Sequence, residues 1–240
     1  MNKNELILLK QTEIAINKYY KEYIKFMNIS FNMPVFQIKF KKASSDSFAN
    51  MKENSGKYIL AVDPLICKTP FAKPTLYREF THIYDHIIIN QLDIHQSYIY
   101  HVYTEYHASQ IEMMVRLKAI TLFGVVDDDV DHKSICEELL NEKSDFTKRV
   151  SLLDLSITKN FSKAVDLFCY YIGKVNTFLY YFNEYKDVLL DLFDYKNIFG
   201  EEIDSIQKTL FQCDTINITV EDIINIADQH LKLVRKFNPQ

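Results

Sequence analysis

A carboxylate and an imidazole stand three residues apart in the segment Arg78-Glu79-Phe80-Thr81-His82. On a helix that spacing puts both groups on one face, where a glutamate can take a proton from water and a histidine can hold a metal ion. His82 and His86 are four apart, one helical turn, the separation at which two imidazoles reach a single cation. Further along, Glu105-Tyr106-His107-Ala108-Ser109-Gln110-Ile111-Glu112 offers carboxylates and a third imidazole, with His101 one turn before Glu105. The chemistry these types support is metal-assisted hydrolysis, in which a glutamate activates a metal-bound water. Two weaker patterns accompany them. Asp127, Asp129, Asp131 and Glu138 fall at calcium-loop spacing, but His132 stands where glycine is needed and Ser134 where an apolar residue is usual. A solvated loop capping the next helix is the expected reading of that run. Tyr98, Tyr100, Tyr103 and Tyr106 crowd one stretch, where one phenol can stabilise an oxyanion or all can pack in a core.

These residues need elements to position them. Residues 4 to about 28 carry apolar side chains at helical spacing, and Pro34 closes that region. Val35 to Phe40 alternates apolar and polar as a half-buried strand does, and Tyr58 to Val62 forms a second strand stopped by Asp63-Pro64. The polar stretch 42–57 between them reads as a loop with a short edge strand near Phe48. Pro74, whose fixed φ suits a first helical turn, opens a helix to about Gln91. A second helix is expected from Gln96 to Leu122, and everything after Lys133 is helical in character. Thr219-x-x-Asp222 resembles a capping box at the start of the last helix. The expected fold class is α+β, mostly helical: a small sheet with two site-bearing helices, followed by a C-terminal helical bundle. Residues 1–125 form the first domain in this reading and residues 126–240 a helical region packed on it.

Leu76 to Asp85, with its apolar flanks, resembles the active-site helix of zinc metallopeptidases in which histidine, glutamate, two residues and a second histidine share one turn. The preceding strand and the acidic second helix resemble small zincins, in particular the ImmA/IrrE-type metallopeptidases of bacteria and their phages. The likeness spans about residues 35–118. It implies Glu79 as general base, His82 and Glu105 as zinc ligands, and His107 as the competing third ligand. The departure is Arg78, which stands where the first histidine belongs. A guanidinium offers no lone pair and stays charged, so it cannot bind zinc. It can instead replace the ion by pairing with Glu105 or Glu112. A shifted site built from His82 and His86, with His101 in reserve, would put Ile83 at the base position and lack the usual catalytic arrangement. The alternative to all of this is an ordinary amphipathic helix carrying Glu79 and His82 on its surface.

Composition narrows the field further. Only 4 Gly and 5 Pro in 240 residues disfavour a many-turned all-β fold. A net charge of −4 argues against a broad nucleic-acid footprint while leaving room for a local basic patch. The cysteines (Cys67, Cys136, Cys169, Cys213) form no C-x-x-C pair, which suits reduced thiols, and no apolar run reaches transmembrane length. A soluble, cytoplasmic chain without a membrane role is expected. Three functions compete. One is a catalytically inactive zincin relative that binds another protein, in a phage or mobile-element setting against a host regulator or defence system. Another is an active zinc metallopeptidase that cleaves a protein partner with Glu79 as base. The last is a helical structural or metal-binding protein unrelated to zincins.

Overall fold

The structure, a computed structural model, describes residues 3–42, 48–54, 56–91, 100–190, 193–212 and 218–237, with the backbone alone for Tyr100, His101, Phe193 and Asp194. Tyr98 and Cys213, singled out in the sequence, lie outside the described residues, as do the side chains of Tyr100 and His101. The chain is α+β and mostly helical, with one three-stranded sheet. It divides into two compact units, Met1–Ile88 with Ile111–Asp128, and Ile89–Gln110 with Asp129–Gln240. Residues 89–110 thus go with the later helices rather than with the sheet. No described helix is long and apolar enough to cross a membrane.

In the first unit, helix α1 spans Lys3–Phe26 and buries Ile16, Tyr23 and Phe26. Strands β1 (Phe36–Phe40), β2 (Ala49–Asn54) and β3 (Lys57–Val62) form a sheet in the order β1-β3-β2. β1 runs parallel to β3, and β2 antiparallel to it. The edge strand expected near Phe48 is therefore longer than its composition suggests. Gly56, at φ +76°, supplies the left-handed turn that joins β2 to β3. Because side chains alternate along a strand, Ile38, Leu60, Val62, Ala49 and Met51 face inward and join one core.

Helix α2 (Ala72–Gln91) completes that core with Leu76, Tyr77 and Phe80. It begins two residues before Pro74, so the proline occupies the first turn, where its missing N–H costs nothing. Helix α3 (Tyr100–Arg116) adds Ile111 and Met114 to the same core; it ends well before Leu122. Lys118 and Phe123 then take positive φ values of 55° and 49° in the turn that follows.

The second unit holds the N-terminal part of α3 and helices α4 (His132–Ser151), α5 (Thr158–Tyr181), α6 (Lys186–Leu189), α7 (Phe193–Phe199), α8 (Glu202–Gln212) and α9 (Val220–Phe237). Asp131 caps α4, its carboxylate accepting from Ser134 N–H at 3.1 Å, so this member of the acidic run serves a helix end. Asp127 pairs with Lys118 at 3.3 Å in the first unit. The box at α9 is reciprocal: Asp222 N–H donates to Thr219 Oγ1 at 3.2 Å and Thr219 N–H to Asp222 Oδ2 at 2.9 Å. α5 is the most buried helix, from Phe161 to Leu179.

Even a charged side chain is buried in α5. Lys174, 2% exposed, reaches Glu142 of α4 at 3.0 Å and lies 4.1 Å from the Tyr170 ring centre. At its neighbour Gly173 the backbone of α5 comes close to α3. A Cβ there would sit 2.0 Å from Ser109 Oγ and 2.3 Å from the carbonyl oxygen of Tyr106. A hydroxyl can swing away, but a helical carbonyl moves only if the helices separate. Gly173→Ala is therefore expected to destabilise the protein by about 2–3 kcal/mol, the upper range for overpacking, despite alanine's better helix propensity. Chemical denaturation followed by circular dichroism measures it; a neutral or stabilising result would contradict this packing.

Candidate functional site

At about 100° per residue, Asp85, Arg78, His82, His86 and Glu79 fall in that order within an arc of about 120° on α2. The opposite face carries Leu76, Tyr77, Phe80 and Ile83, all fully or nearly fully buried. The helix is thus amphipathic, yet its polar stripe is not a solvent-washed face. Glu79 and Asp85 are each 1% exposed, and Arg78, His82 and His86 are half-buried. The alternative that leaves Glu79 on the surface of an ordinary helix is corrected here: the carboxylate is inside.

A buried carboxylate requires partners, since desolvating its charge without them costs several kcal/mol. Both oxygens of Glu79 have one. Oε1 accepts from Arg78 Nη1 at 3.1 Å, and Oε2 accepts from the main-chain N–H of Met51 at 2.6 Å. The second bond follows from strand geometry. Asp63 N–H donates to the carbonyl of Phe48, so 48 and 63 are a hydrogen-bonded pair of the antiparallel ladder. By alternation Asn50, Lys52 and Asn54 turn their amides toward β3, whereas those of Ala49, Met51 and Glu53 point out of the sheet edge. Glu79 stands against that edge and occupies its middle amide. Arg78, read from the sequence as a partner for Glu105 or Glu112, places one guanidinium nitrogen on the glutamate beside it.

The rest of the stripe is held by neighbours as well. Tyr58 Oη lies 2.6 Å from His86 Nδ1, with the rings edge to face. Burial, then the charge of Glu53, raises the Tyr58 phenol above its ordinary value, so it stays protonated and can donate to that nitrogen. When the phenol donates to Nδ1, a neutral His86 holds its proton on Nε2, the atom a shifted metal site would need. Asp85 lies near Tyr23 and Tyr84. Burial lifts both phenols, the Thr81 hydroxyl bond opposes this at Tyr23, and the Asp85 charge adds to it at both.

Glu105 and His107 belong to the second unit. His107 is fully buried, stacked on Tyr103 with ring centres 5.6 Å apart. Glu105 is half-buried, and its charge reaches Cys169, whose thiol burial pushes well up, with Asp166 adding more than Glu105. Two residues apart on one helix, Glu105 and His107 project in roughly opposite directions, so a single metal would select one of them. Tyr103 and Tyr106, candidates for oxyanion stabilisation, are both buried; Tyr106 accepts from Gln110 Nε2 at 3.2 Å and also from Asn176 Nδ2. Among the described residues no three His, Cys, Asp or Glu side chains gather as a metal site would require.

Two participants carried no sequence signal. The Met51 amide is a main-chain group on a strand of mostly polar letters, and Tyr58 reads as an ordinary strand residue. The comparisons with known proteins add no relative: no family model, no curated protein and no solved structure matches the chain.

Proposed function

We propose that this chain is a zincin-like protein whose motif helix has exchanged hydrolysis for structure, and that it acts by binding another protein. One observation carries the reading. The glutamate at the general-base position has both oxygens committed, one to Arg78 and one to the edge-strand amide of Met51. A general base must present a carboxylate oxygen to a metal-bound water. Here a guanidinium takes the place of the first imidazole and satisfies the carboxylate directly. The pair ties α2 to β2 without requiring an ion. A guanidinium in the first histidine's place also removes one of the three protein ligands that a catalytic zinc site keeps. The resemblance to phage-associated metallopeptidases makes a host regulator or defence protein the expected partner class.

Metal analysis of protein purified without chelator tests this. Far less than one zinc per chain is expected. Arg78→His restores an imidazole at the vacated position and is expected to raise zinc affinity by at least about 100-fold, beyond the 10–100-fold that outer-shell changes bring. One tightly held zinc in the unaltered protein, lost on His82→Ala and accompanied by peptide hydrolysis, would establish an active enzyme instead. Unchanged zinc affinity in Arg78→His would remove the zincin kinship.

A further inference from the structure

The sheet of the first unit has helices on one face, and its other face carries a distinct pattern. By the alternation that sends Leu60 and Val62 inward, Ile59 and Ala61 of the central strand face outward, and both are half-exposed. Lys39 on β1, Lys52 on β2 and Lys57 on β3 share that outward parity and are exposed. Among the described residues none of the three lysine side chains makes an ion pair or a hydrogen bond. No carboxylate stands on the outward positions of the three strands. The nearest in register, Asp63 beyond the end of β3, is 5% exposed and accepts from Leu65 N–H at 2.7 Å. An apolar strip is thus flanked by a lysine on each edge strand and closed by a third at one end.

We infer that this outer sheet face is the docking surface for an amphipathic, acid-flanked helix of a partner protein, an inference that rests on the protein-binding reading above. Three strands spaced about 4.8 Å apart present a width of about 10 Å, which one helix of 10–12 Å diameter covers. Helix on sheet is the ordinary way to bury such a strip. The charges set the partner's chemistry: glutamates or aspartates beside its apolar stripe meet Lys39 and Lys52, and like charge is rejected. Single-stranded nucleic acid is the poorer occupant, because the outward positions of these strands carry no aromatic ring and no arginine on which bases could stack.

The probe is a synthetic helical peptide of about 14 residues, about 21 Å long, with leucines along one stripe and glutamates beside it. Fluorescence anisotropy with the full chain is expected to give a Kd below about 100 µM that weakens as salt is added. Changing Lys39, Lys52 and Lys57 together to Glu is expected to weaken binding at least about tenfold, and the same peptide with lysines for glutamates to bind the triple variant but not the original. Ile59→Asn is expected to weaken the glutamate peptide about fivefold, as loss of a buried aliphatic contact would. No binding to the original chain at about 1 mM, equal binding by the triple variant, or retention of a thymidine oligonucleotide in preference to the peptide would each overturn the assignment. Since the lysine peptide against the original chain needs no variant, the test survives misfolding of the triple mutant. A zinc-loaded, hydrolytic protein would overturn the reading beneath while this titration still decided the surface.

Discussion

Phe80→Ala is expected to lower the stability of the first unit by about 3–5 kcal/mol, the cost of removing a large aromatic from a closed core. Phe80 has no exposure and lies among Tyr20, Tyr23, Phe36 and Tyr77, with ring centres 4.9, 5.6, 5.6 and 6.5 Å away. Four rings from α1, β1 and α2 converge on this one side chain, so its loss affects three elements together. Two of the contacts are edge-to-face, an arrangement worth about 0.5–1.5 kcal/mol beyond area alone. Collapse around the void is opposed by hydrogen bonds that pin the neighbours: Tyr20 donates to the Pro34 carbonyl at 2.8 Å, and Tyr23 to Thr81 Oγ1 at 3.3 Å. Burial keeps these phenols as donors; that of Tyr20 is pushed up to about 12. Native-state hydrogen exchange reads the effect where it occurs. The amides of β3 should lose protection by that amount, and undiminished protection there would contradict this packing.

The same residue shows how far the letters reach. Phe80 is apolar between Glu79 and Thr81, and the spacing of Leu76, Tyr77, Phe80 and Ile83 already marks a helix with one buried face. β1 and β3 are equally legible, because their inward positions are aliphatic or aromatic. β2 is not. Its outward positions are Asn50, Lys52 and Asn54, its inward position 53 is a glutamate, and only Ala49 and Met51 hint at alternation. A strand at a sheet edge can be this polar because its outward side faces water and its free amides can be capped by a side chain from elsewhere. That side chain is Glu79, which is why the site was half readable. The glutamate and histidine stand out as letters, but the amide that holds the glutamate has no side-chain signature. Arg78 is legible only in part: adjacent helical residues point about 100° apart and rarely meet, yet its long guanidinium arm reaches back over one peptide unit to Glu79.

Removing the Glu79 carboxylate separates a structural role from a catalytic one. Glu79→Ala takes the acceptor from both Arg78 and the Met51 amide. Losing a charge-assisted bond costs about 1.5–3 kcal/mol. Stripping one partner from a fully buried ion pair costs about 3–5. The Glu79 side chain is 2% exposed but that of Arg78 is 23%, so the guanidinium can turn partly to water and the lower range applies. A loss of about 2–3 kcal/mol is expected. Glu79→Gln is the sharper probe. Its single amide oxygen can serve either the guanidinium or the strand N–H, and its NH₂ then faces the other donor. About 1–2 kcal/mol should be lost, with faster hydrogen exchange at Met51 as the local sign. A working base behaves in the opposite way. Active-site carboxylates are held at a cost to stability, so their neutral replacements leave the fold unchanged or firmer while abolishing turnover. Stability that holds or rises in Glu79→Gln, together with loss of a measurable hydrolytic activity, would return this residue to catalysis. Destabilisation without any activity to lose fits a carboxylate that fastens a helix to the edge of a sheet.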